Sequence, residues 1–100
     1  RDRDRLALLG DEWLAAAQNW DQFKLEKISL TQQIRQAGAD KMAAARERMG
    51  VTHEELLLDL RVRREAVRAE MQDARKRLKA KREAFFTALS ELKQANMSVA

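Results

Sequence analysis

Apolar side chains recur along this chain at alternating intervals of three and four residues, once over residues 6–44 and again over residues 57–99. With Leu6 as an a position, the first a/d series runs Leu6, Leu9, Trp13, Ala16, Trp20, Phe23, Lys27, Leu30, Ile34, Ala37, Lys41 and Ala44. The second starts at Leu57 and runs through Leu60, Arg64, Val67, Met71, Ala74, Leu78, Lys81, Phe85, Ala88, Leu92 and Ala95 to Val99. A seven-residue period held for about six heptads marks two helices that bury a narrow seam, as in a coiled coil. The chain has no Pro and only three Gly, so nothing forbids long helices, and the fold class is all-α.

Between the two series stands Met49-Gly50-Val51-Thr52-His53-Glu54-Glu55-Leu56. Gly50 can close a helix in the left-handed conformation. Thr52 and Glu55 have the spacing of a capping box, and Val51 with Leu56 that of a hydrophobic staple. These signals place helix 1 at about 4–49, a turn at 50–52 and helix 2 at about 53–97. Gly10 and Gly38 are read as interior glycines, each costing about 1 kcal/mol relative to Ala. A connection this short makes the helices antiparallel, so residues 1–100 form a single helical hairpin.

Folding about that turn pairs residues whose numbers add to about 101 and sets large side chains against small ones: Trp13 meets Ala88, Ala16 meets Phe85, and Lys81 lies over Trp20. Helix 1 carries Glu12, Glu26 and Asp40 at g, with Asp40 in reach of Arg63, and mostly small residues at e. Helix 2 carries Arg61, Arg68, Arg75 and Arg82 at successive e positions, without acidic partners inside the hairpin. Helix 1 is apolar beyond its seam, at Leu14, Ile28, Met42 and Met49 in b and Leu25 in f, and Phe86 and Leu89 widen helix 2 likewise. An arc wider than two-helix packing needs points to a second layer. These seven residues form the candidate oligomer or partner interface, and the expected assembly is a homodimer of hairpins in a four-helix bundle, or docking of a helical protein partner. Two helices alone bury little, and the absence of an initiator Met fits a fragment of a larger protein.

Charge adds a second candidate. Residues 61–83 hold ten Lys or Arg and four Asp or Glu, a net of +6 in a chain of net +4. Arg61, Arg68, Arg75, Lys76, Arg77, Lys79 and Arg82 are the candidate anion-binding residues, toward nucleic acid and less favourably an anionic membrane. No aromatic residues are interleaved for base stacking, so sequence-specific readout is not expected.

The remaining chemistry is sparse. Trp13, Trp20, Phe23 and Phe85 fall on the seam and read as core, with Phe86 outside it. His53 reads as a solvated turn residue, because a metal would need more ligands than the turn supplies. There is no Cys, and no nucleophile with its base, paired carboxylates or phosphate loop, so no catalytic residue, metal, cofactor or small-molecule substrate is expected. The apolar runs are too short to cross a membrane, and a cytoplasmic or otherwise intracellular location is expected. The sequence thus suggests a non-catalytic scaffold, spacer or adaptor, with an anion-binding helical module as the alternative.

Overall fold

The computed structural model describes residues 2–41, 47 and 50–99. Its regular structure is two helices, α1 (Asp2–Ala39) and α2 (Gly50–Val99), with no strand among the described residues. Asp2 and Asp4 lie in the first turn of α1, where carboxylates complement the positive end of the helix dipole. Inside α1 the Thr31 hydroxyl donates to the Lys27 carbonyl at 2.9 Å, a back-bond that lets a β-branched polar residue sit in mid-helix.

The helix boundaries depart from the sequence reading. The first helix ends at Ala39, not near 49, with the Asp40 amide donating to the Gln36 carbonyl at 3.0 Å. Gly38 has no side chain within 4 Å of where a Cβ would stand, and Lys41, next on the seam, is exposed, so packing does not anchor the helix beyond Ala37. The second helix begins at Gly50, so the expected turn at 50–52 is helical and Thr52 lies inside the first turn. His53 is therefore a helix residue, half-buried with its Nε2 covered, and not a solvated turn residue. It falls at d, four residues before Leu57, and continues the seam by one step.

The described residues form two compact units, 2–21 with 72–99 and those lying within 22–71. The second unit is built on Leu30, Ala37, Leu57, Leu60 and Val67, all buried, with Phe23 and Ile34 packed against them. In the first unit Ala74 is fully covered, and Trp13 packs on Phe85 and Phe86 with ring centroids 5.5 and 5.6 Å apart. Its helix segments run antiparallel: Glu12 bonds Lys81, Gly10 lies beside Phe85, and Asp2 and Arg5 share a depression with Leu92 and Ala95.

Burial follows the heptads. Every a and d position from Leu6 to Ala37 and from Leu57 to Leu92 is buried or half-buried, whereas the described b, c and f positions of both helices are exposed. The register differs from that drawn about residue 50. In the first unit Lys81 Nζ lies 3.1 Å from Glu12 Oε2, and a Cβ on Gly10 would lie 3.4 Å from Phe85 Cε2. Residues whose numbers add to about 94 are therefore level, one heptad short of the expected 101. The a-to-d pairing survives because a slip of seven residues restores the same face. Trp13 accordingly comes level with Lys81 instead of Ala88 and packs its ring on Phe85, one helical turn along the facing helix, and the Lys81 ammonium reaches Glu12 one heptad from the position expected opposite Trp20.

Candidate functional site

Reversing one helix of a pair keeps its e positions beside the e positions of the other, so each unit has two distinct sides. The contacts of the first unit obey this. Trp13 and Phe85 at a, Gly10 at e and Phe86 at b meet on one side, and Glu12 at g meets Lys81 at d on the other. In the second unit a surface depression of about 300 Å³ is lined by Gln33, Gln36, Ala37, Asp40, His53, Leu56 and Leu60, which all belong to the g, c and d side. It is an open groove with one imidazole and one carboxylate, and among the described residues no group of three or more potential metal ligands occurs.

The apolar candidates are placed as follows. In the first unit Leu14 is 58% exposed, Phe86 is 45% exposed, and Leu89 is half-buried, less open than its position suggested. In the second unit Leu25 is 67% and Ile28 54% exposed. Met42 and Met49 lie outside the described residues. Sequence reasoning missed Leu8, Leu56, Leu58, Val62 and Met97, which are also exposed. Leu56, Leu58 and Val62 sit at g, b and f beside Leu57 and Leu60, and the signal was present as the unbroken run Leu56-Leu57-Leu58, of which a helix can bury only one side.

The basic candidates divide in two. Arg61, Arg75, Lys76, Arg77 and Lys79 are exposed, and no ion pair reaches them among the described residues. Arg68 and Arg82 are engaged locally. Arg68 Nη1 lies 3.0 Å from Glu65 Oε1 within α2, correcting the expectation that the whole arginine row lacks acidic partners. The Arg82 guanidinium stands 5.7 Å from the centroid of the Phe86 ring. Arg63 pairs with Asp59 at 3.3 Å on its own helix, the i, i+4 neighbour, and not with the expected Asp40. Arg64, half-buried at a, keeps a covered Nε without a hydrogen-bond partner.

No helix among the described residues is long and apolar enough to cross a membrane. No family model, curated protein or solved structure matches this chain.

Proposed function

We propose that this chain is a non-catalytic coiled-coil interaction module, a scaffold, spacer or adaptor that works by associating with itself or with a helical partner. The observation that carries this is the exposure of Leu14, Leu25 and Ile28 on the outside of a helix whose a and d positions are already withdrawn from water. Large apolar groups gathered on an outer helix face are stabilised by a further layer, because their burial contributes about 25 cal/mol per Å². A homodimer of hairpins packed as a four-helix bundle provides that layer with the fewest parts.

The test is solution mass by light scattering over a concentration series, at low and at high salt. A dimer or larger species that persists at high salt is the expected result. Replacing Leu25 and Ile28 together with Glu is expected to remove the oligomer and leave helicity unchanged by circular dichroism. An unaltered oligomer in that variant would refute the outer-face argument.

The second reading is an anion-binding module, favoured by the five cations Arg61, Arg75, Lys76, Arg77 and Lys79, which stay exposed and outside any ion pair among the described residues. Its signature is affinity for nucleic acid or anionic vesicles that falls steeply as salt rises. No binding at low ionic strength would end it.

A further inference from the structure

The first unit's side that carries the a, e and b positions is apolar in the middle and oppositely charged along its two borders. On α1, exposed Leu14 lies between small Ala7 and Ala17, and the border of that helix carries the exposed acids Asp4, Asp11 and Asp21 with the single cation Arg3 near its start. On α2, Phe86 and Leu89 are set among the exposed cations Arg75, Lys79, Arg82 and Lys93. Glu83, at f, is the one acid on that border of α2 between residues 72 and 90.

We infer that this side is the contact surface for a second copy of the chain, placed by a two-fold axis parallel to the helices so that α1 of each copy lies over α2 of the other. The inference rests on the self-association reading above and adds the face and its orientation. A two-fold along the helices leaves every residue at its own level, and residues adding to about 94 are level within the unit. Asp11 then comes level with Glu83 of the second copy, and Arg82, the next residue, is the cation within its reach. Asp4 falls within about one helical turn of Lys93. Each contact occurs twice, because an isologous interface repeats itself. A two-fold across the helices would instead set α1 on α1 and α2 on α2, opposing acid to acid and cation to cation.

The same asymmetry argues against other occupants. An anionic membrane or a nucleic acid laid on this side would be attracted by α2 and repelled by the acids of α1. The Phe86 ring is also shared with its neighbours, which leaves less of its face for base stacking. Arg82 covers the ring at 5.7 Å, and Phe85 and Trp13 crowd it at 5.5 and 5.6 Å.

The experiment is sedimentation of the full chain over a concentration series at low salt, for the unaltered protein, Asp11→Lys, Arg82→Glu and an equal mixture of the two variants. The unaltered chain is expected to dimerise. Each variant alone sets two like charges together per dimer, and its dissociation constant should rise on the order of tenfold or more. The mixture should regain the original affinity, since in the mixed dimer both contacts join opposite charges. Asp4→Lys and Lys93→Glu form a second such pair, which keeps the test intact if loss of the Arg82 to Phe86 stacking weakens the fold. A monomeric unaltered chain overturns the self-association reading together with this inference. A dimer that the single variants leave unchanged, or that the mixture fails to restore, overturns the assigned face and orientation and leaves self-association standing.

Discussion

The two units are built on the same seven-residue pattern and close over their seams to different degrees. In the unit of residues 22–71, Leu30, Leu57, Leu60 and Val67 are each at most 8% exposed. In the other unit, of the described residues only Ala74 is buried to that extent, and Trp13, Trp20 and Phe85 stay half-buried although they hold equivalent seam positions. Side-chain size contributes, although Leu9, Leu78 and Leu92 on the same seam are half-buried too. Two helices packed about 8–10 Å apart can cover a branched aliphatic group between them. An aromatic ring presents on the order of 150–250 Å² and runs past the edge of the seam. The aliphatic unit therefore closes its seam with two helices while Leu25 and Ile28 stay exposed outside it, and the aromatic unit leaves apolar area at the seam itself.

The largest effect should come from the closed unit. Leu60→Ala removes a buried core side chain and is expected to cost about 2–4 kcal/mol in urea unfolding followed by circular dichroism. A loss below about 1 kcal/mol would mean that this unit is less closed than its burial implies. Phe85→Ala strikes the open unit and should cost less at high dilution, about 1–3 kcal/mol for a half-buried ring. Its cost should grow with protein concentration if a second copy completes the layer. A cost independent of concentration would erase the proposed difference between the units.

Two glycines sharpen the comparison at smaller scale. Gly38→Ala places its methyl in open space and should stabilise by about 0.5–1 kcal/mol through helix propensity and the unfolded chain. Gly10→Ala brings its methyl to 3.4 Å from the Phe85 ring and should gain less. Equal gains would show that the ring does not use the space Gly10 leaves. Smallest is Glu12→Gln, which removes a partly exposed ion pair with Lys81 worth about 0.2–1 kcal/mol. That loss should shrink as salt rises, and a salt-independent loss would assign the effect to packing.

The fold class and the seam were legible in the sequence because a heptad pattern reports which side of a helix faces its partner. It does not report how far one helix has slid along the other by whole heptads, since each slip of seven residues presents the same face. The register therefore hung on the turn, and the turn was misread. Gly50, Thr52 and Glu55 look like a stop and a cap, yet the backbone is helical from Gly50 onward. A capping motif offers hydrogen bonds without compelling the helix to begin there. The exposure of Leu14, Leu25, Ile28 and Phe86 follows from helix phase alone, whereas the pairing of Arg68 with Glu65 and Arg63 with Asp59 depends on rotamer choice along a helix.

Among the described residues Ala74 is the one whose exposure is 0%. A lone methyl group at that spot acts as a spacer gauge: valine or leucine would wedge the surrounding atoms apart and glycine would loosen the helix. The strictest limit on how this sequence can drift therefore falls on a side chain with no charge, no ring and no reactive atom. Most of the charged exterior, by contrast, can change with little consequence for the fold.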